Sequence, residues 1–315
     1  MRGDGFPLVM RSALLVGLLW LTGCGRTDPA SDADPSTTPR PIVGAGWELV
    51  DSVRVDLDVD GRPELVVTSR DAAGPSAMLP GAAFDRIEVF GDSAGRWSSM
   101  FVDAVDGGMR LSFEDLTRSG TVALLVYTDG GGNNPVASRG LSIYGLRKGR
   151  IALQFYAQEG DPSVLDLDGD QVREVLLSGE YWGMMPHADG ISYTEIVYAF
   201  NGEAWMPAND LHGAWFDRQI TARRNVYRKL MRARVTDEDA HAIDVHRAFV
   251  EWILWAAARG DASAVQQIWS NEQNALARVL GEDQLDDLDI IVQDILEQAA
   301  EPDEPSAATS ARSMT

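Results

Sequence analysis

Apolar residues follow two different periods along this chain. Three stretches alternate apolar and polar residues and are each closed by a glycine turn, a pattern that predicts β-hairpins. These stretches are Ile87–Trp97, Leu141–Ile151 and Ile196–Trp205, and their turn glycines lie 54 and 53 residues apart. Regular spacing of this kind indicates an internal repeat.

After residue 212 the apolar residues recur every three or four positions, which predicts amphipathic helices. Thr236 is predicted to begin a helix that ends at Gly260, and Asp261 to begin another that ends at Gly281. Short connections between such helices favour antiparallel neighbours, so residues 213–300 are expected to form a small bundle. Three tryptophans are expected in its core: Trp252, Trp255 and Trp269.

A short acidic loop followed by an apolar strand occurs three times. The copies are Asp56–Val67, Asp115–Val126 and Asp166–Leu177, and they begin 59 and 51 residues apart. Alternate aspartates in a tight loop turn their carboxylates toward one centre, and Ca²⁺ prefers six to eight such oxygen ligands. The predicted ligands are the side chains of Asp56, Asp58, Asp60 and Glu64 with the carbonyl of Arg62, and those of Asp166, Asp168, Asp170 and Glu174 with the carbonyl of Val172.

The second copy lacks most of these acids. Thr117, Ser119 and Ala123 stand where the other loops have carboxylates, so this loop is expected to keep its shape and to bind little or no metal. The third copy differs in its glycine, because Gln171 stands at the position of Gly61 and Gly169 lies two residues earlier.

The loops and their spacing resemble the FG-GAP or VCBS repeats of integrin-type β-propellers over roughly residues 47–207. The resemblance implies calcium between the strands of a blade. Three repeats are fewer than a closed propeller uses. The expected fold is therefore α+β, with three antiparallel β repeats in a partial or open propeller-like arrangement followed by a small C-terminal helical bundle.

The N-terminus resembles a bacterial lipoprotein signal peptide. Arg2 and Arg11 precede an apolar run from Ser12 to Leu21, which is too short to span a bilayer, and Cys24 follows it. The resemblance implies that Cys24 is lipidated and anchors the chain in the cell envelope, with the outer membrane favoured. The predicted segments are a signal peptide (1–23), a disordered tether (24–45), the β-repeat domain (46–211), the helical domain (212–300) and a disordered tail (301–315).

The chain carries a formal net charge of −21, so binding to nucleic acid phosphates is not expected. Basic residues nevertheless concentrate on the first long helix, over residues 218–234. One interpretation is a solvated face neutralised by the acidic last helix. The other is a site for anionic lipid headgroups or for an acidic partner.

The sequence lacks the common catalytic motifs, including Gly-x-Ser-x-Gly and His-Glu-x-x-His. We therefore expect a non-catalytic binding or scaffold module for an envelope protein or a glycan. The alternative is a periplasmic or surface hydrolase that uses a pair of carboxylates on the β scaffold.

A partner is expected to bind the connections between the strand after each acidic loop and the following hairpin, at Thr68–Asp85, Thr128–Arg139 and Ser178–Thr194. Aromatic and thioether side chains favour the third. Its candidate residues are Tyr181, Trp182, Met184 and Met185. The alternative is that Tyr181 and Trp182 cover the end of the sheet.

Overall fold

The computed structural model describes residues 43–79, 81–93, 96–147, 149–182, 191–234 and 236–300. These residues belong to one compact unit with an α+β fold. The strands are β1 (Trp47–Val55), β2 (Glu64–Asp71), β3 (Phe84–Ser93), β4 (Arg96–Glu114), β5 (Ala123–Asp129), β6 (Arg139–Arg147), β7 (Arg150–Ala157), β8 (Ser163–Leu165), β9 (Glu174–Trp182), β10 (Ile191–Phe200) and β11 (Trp205–Pro207). The α-helices are α1 (Pro135–Ser138), α2 (Gly213–Leu230), α3 (Glu238–Ala258), α4 (Ala262–Leu280) and α5 (Glu282–Ala300).

The strands form two antiparallel sheets in which neighbours in space are also neighbours in sequence. The first sheet has the order β1 to β7, and the second has the order β11, β10, β9, β8. The long strand β4 pairs with β3 up to Gly108 and with β5 from Gly108 onward. A Cβ at Gly107 or Gly108 would collide with Asp129 or Phe84, so the sequence needs glycine where β4 changes partner.

The three predicted hairpins are confirmed. They are the pairs β3–β4, β6–β7 and β10–β11, and each acidic loop connects the two strands that precede its hairpin. The connections that were predicted to bind a partner are wrong in extent. The strands run into them, so that β2 reaches Asp71 and β9 reaches Trp182, while β10 already begins at Ile191.

The helices also follow the sequence pattern. Asp261 caps α4 by accepting a hydrogen bond from the Ala264 N–H at 2.9 Å, as expected. The cap of α3 is Asp237 rather than Thr236, and it accepts from the Ala240 N–H at 3.1 Å. The acidic carboxylate takes this role one residue later than predicted, and it also complements the helix dipole.

The predicted bundle packs around α3. Trp252 and Trp255 are buried, and Trp269 is half-buried against Phe249, which confirms the predicted core. The helix α2 packs on α3, whereas α5 packs on α3 and α4. Ion pairs join α2 to α3, through Arg223 and Glu251 at 3.5 Å and through Asp217 and Arg259 at 2.8 Å. The described charge partners of α2 therefore include α3, and not the acidic α5 that the sequence suggested.

The second residue of each acidic loop is a leucine whose side chain enters a different part of the core. Leu57 packs with Val66 and Ile87 under the first sheet, and Leu116 packs in the next cluster along the chain. Leu167 packs with Phe216 and Trp255, so the second sheet and the helices share one apolar cluster. This shared cluster attaches α2 and α3 directly to the sheet of β8–β11.

Backbone hydrogen bonds also join each acidic loop to the next. The N–H of Val122, the eighth residue of the second loop, donates to the Leu57 carbonyl at 3.1 Å. At the same loop position, the N–H of Arg173 donates to the Leu116 carbonyl at 2.9 Å. Three loops thus form one hydrogen-bonded stack.

Both ends of the loop stack are closed. The Leu167 carbonyl, at the equivalent position of the third loop, accepts a hydrogen bond from Arg218 Nη2 of α2 at 3.4 Å. At the other end, the eighth residue of the first loop is Pro63, which has no N–H to donate. The two ends of the stack therefore differ, with a proline at the first loop and an arginine contact at the last.

Candidate metal centres

The three acidic loops share one backbone conformation that is held by their first aspartate. A carboxylate oxygen of Asp56, Asp115 or Asp166 accepts the N–H of the sixth loop residue, at 2.9, 2.9 and 3.0 Å respectively. The side chain of the fifth residue accepts the N–H of the seventh in all three loops. The prediction that the second loop keeps its shape is confirmed.

Two residues in each loop adopt the left-handed backbone conformation, the fourth and the sixth. The φ angles are 59° and 83° at Val59 and Gly61, and 88° and 71° at Gly169 and Gln171. The third loop therefore has its glycine at one left-handed position, and the first loop has it at the other. The misplaced glycine in the third sequence repeat fits the same loop geometry.

The closing glutamates are buried and bind the loop backbone. Glu64 Oε2 accepts the Leu57 N–H at 2.8 Å, and Glu174 Oε2 accepts the Leu167 N–H at 2.9 Å. Burial raises the pKa of both carboxyls, the backbone hydrogen bonds lower it, and neighbouring aspartates raise it further. Each glutamate thus fixes the leucine that enters the core.

Carboxylate oxygens converge in the first and third loops. Atoms of Asp56, Asp58 and Glu64 lie within 4.8 Å of one another, and so do atoms of Asp166, Asp168 and Asp170. Hard oxygen donors of this kind fit Ca²⁺. Asp60 and Glu174 lie outside these two groups. The carbonyls of Arg62 and Val172 remain predicted ligands.

Hydroxyl groups occupy the corresponding space in the second loop. Thr117 Oγ1 donates to Ser119 Oγ at 2.9 Å, and Ser119 Oγ and Thr121 Oγ1 are 2.6 Å apart. Asp115 supplies the carboxylate at the start of this loop, and Ala123 replaces the closing glutamate. The polar groups of the loop satisfy one another without needing a cation to neutralise them.

Other predicted site residues fall partly outside the described chain. Cys24, Met184 and Met185 lie outside the described residues. The backbones of Tyr181 and Trp182 belong to β9, where they pair with β10. These two residues therefore continue a hairpin rather than begin an irregular loop.

Sequence reasoning missed the stacking of the loops on one another. The available signal was the Asp-Leu pair that begins all three loops, because a buried leucine at this position also fixes the carbonyl that the next loop uses. Pro63 was a further signal. Its meaning depends on knowing that the eighth N–H is a donor in the other loops.

No protein-family model matches this chain, and no curated protein matches it. Among the described residues, no helix has the length and apolar character needed to cross a membrane.

Val59 offers a test of the shared loop geometry. It is a β-branched residue in the left-handed region, which costs about 1–2 kcal/mol, and asparagine tolerates this region better. We expect Val59→Asn to raise the free energy of unfolding by about 1 kcal/mol. Urea denaturation in the presence of a chelator measures this change.

The matched control is Val226→Asn on α2, an exposed valine in a helix, which should change stability little because the two residues have similar helix propensities. Conversely, Gly169→Val should destabilise the third loop at the equivalent position. Equal effects of the two asparagine substitutions would contradict the assigned loop conformation.

Proposed function

We propose that this chain is an envelope-anchored lipoprotein whose calcium-stabilised β repeats form a non-catalytic binding or scaffold module for a protein or glycan partner. In this proposal the repeats are a partial, open relative of the FG-GAP or VCBS propeller. One observation carries it. Three carboxylates converge within 4.8 Å in the first loop and in the third, whereas the second loop has the same backbone conformation with hydroxyl groups instead.

Electrostatic repulsion supports a cation at these loops. Two unit charges 4 Å apart repel by about 1 kcal/mol in bulk water and by about 4 kcal/mol at the effective dielectric constant of a protein surface. Each of the two loops holds three carboxylates at this range, in a chain with a net charge of −21. A divalent cation bound by Asp56, Asp58 and Glu64, or by Asp166, Asp168 and Asp170, would remove this repulsion.

Two grooves formed by the described residues lack the carboxylate pair that the alternative function would require. One lies beside the second loop, between Leu116 and Trp205, and its lining includes no carboxylate. Another lies among the helices and includes a single one, Glu272. A glycosidase-type reaction needs two carboxyl groups flanking one substrate, and neither groove supplies such a pair.

Calcium should stabilise the chain, and loss of one carboxylate in either acidic loop should reduce this effect. We choose Asp58→Asn and Asp168→Asn because asparagine keeps the side-chain shape and its Oδ1 can still accept the one backbone N–H that each aspartate binds, whereas Asp56 and Asp166 each hold two. At a calcium concentration ten times Kd, binding adds about 1.4 kcal/mol to the free energy of unfolding. Melting temperatures in calcium and in chelator measure this difference, which amounts to a few degrees.

The second loop provides the control for this measurement. Asp115→Asn removes a carboxylate at a loop that lacks the other acids, so its destabilisation should be the same with and without calcium. A wild-type chain with equal melting temperatures in calcium and in chelator would contradict the metal centres.

The anchor has its own test. Cys24→Ser should abolish acylation and leave an uncleaved or soluble form, because the thiol is the acceptor of the lipid. Metabolic labelling with a fatty acid, followed by fractionation, measures both effects. A wild-type chain that fractionates as a soluble protein without detergent would contradict the lipoprotein assignment.

The end of β9 and the residues that follow it are the proposed contact with a partner. Trp182→Ala combined with Met184→Ala should weaken capture of an envelope protein or glycan while leaving the melting temperature unchanged, because exposed aromatic and thioether groups serve as anchors. Pull-down from envelope extract and thermal unfolding measure the two quantities. Retained capture with a large loss of stability would instead place these side chains in the core.

A further inference from the structure

A polar groove lies among the three helices α2, α3 and α4, far along the chain from the acidic loops. Its volume is about 220 Å³. The lining residues are Arg224, Arg228, Trp252, Ala264, Gln267, Ile268, Asn271 and Glu272. The groove combines cationic, amide and apolar groups.

Two buried donors at this groove have no hydrogen-bond partner among the described residues. Trp252 is only 5% exposed, and its indole Nε1 makes no hydrogen bond there. Nε of Arg224, on the neighbouring helix α2, is also buried and makes no hydrogen bond there. A buried donor that stays unpaired costs about 1–3 kcal/mol, so a ligand that accepts from both would recover this free energy.

The charge of the groove favours an anion. Arg224 and Arg228 lie one helical turn apart on α2 and line the same wall. Glu272 is the carboxylate opposite, and its Oε2 accepts a hydrogen bond from the Tyr227 hydroxyl at 3.1 Å. Burial raises the pKa of Tyr227, so the hydroxyl stays protonated and keeps this oxygen occupied.

The donors suit a phosphate group in particular. Guanidinium groups bind phosphate oxygens through paired N–H donors, and the indole N–H and the amides of Gln267 and Asn271 supply further donors around them. Ala264 and Ile268 add an apolar wall beside these groups. Such a wall fits the carbon atoms attached to a phosphate ester.

We propose that the groove among α2, α3 and α4 binds a phosphate group, held by Arg224, Arg228 and the indole N–H of Trp252. The phosphate belongs either to a soluble phosphate compound or to the headgroup of a phospholipid. This site is independent of the acidic loops, and binding should be the same in calcium and in chelator.

Calorimetric titration of the detergent-solubilised full chain tests the site with three probes at constant ionic strength. The probes are inorganic phosphate, glycerol 3-phosphate and monomeric dihexanoylphosphatidylglycerol. We expect saturable binding of at least one probe, and Arg228→Gln should weaken it about tenfold, because a charge-assisted hydrogen bond contributes at least this much. Arg228 is exposed, so this variant should fold normally.

Trp252→Phe keeps an aromatic six-membered ring but removes the indole N–H together with the fused five-membered ring, so it should also weaken binding. The matched controls are Lys229→Gln and Arg232→Gln, which remove exposed positive charges near the same end of α2 but outside the groove. They should change the affinity by less than about twofold, because exposed charges act weakly through solvent.

The probes distinguish the sources of the phosphate. Tighter binding of the short-chain lipid than of the other two would assign a membrane headgroup, and equal or tighter binding of a soluble compound would assign a soluble ligand. Absence of saturable binding by all three probes would overturn the proposal. An equal loss of affinity in the control variants would also overturn it, because general charge attraction would then explain the binding.

Discussion

The hydrogen bond from the eighth N–H of one acidic loop to the second carbonyl of the loop before it sets the arrangement of the β repeats. In each stacked pair the loop backbone holds two left-handed residues, and the leucine whose carbonyl accepts the bond is buried in the core. Leu57 is also held from within its own loop by Glu64, whereas Leu116 lacks such a contact because Ala123 replaces the glutamate. The loop conformation and the stacking of the loops therefore meet at the backbone of Leu57, whose N–H binds Glu64 and whose carbonyl binds Val122.

The sequence predicted the elements better than their contacts. Alternation and helical spacing located the hairpins and the helices, because these periods arise from local burial. The acidic residues were recognised from their spacing, yet Glu64 and Glu174 also proved to be backbone acceptors, which spacing cannot distinguish from ligation. The extent of β9 and β10 was not predicted, because strand pairing depends on the partner strand. The turn-forming residues between the two strands favoured a longer loop.

Charge is divided between two parts of the fold. Carboxylates gather in the first and third loops, while arginines gather on α2, whose partner α3 supplies Glu251 as one counter-charge. The second loop separates the acidic loops with neutral hydroxyls. A chain that is strongly anionic overall can thus present a local surface of the opposite sign.

Pro63 and Arg218 also mark the two ends of the stacked loops. Repeats that stack through a free donor at one end and a free acceptor at the other extend readily into head-to-tail filaments. Here the first loop has a proline in the donor position, and the last carbonyl is already bound by Arg218. A second copy therefore cannot extend the stack by the same backbone hydrogen bond at the Pro63 end, and at the other end it would compete with Arg218 for the Leu167 carbonyl.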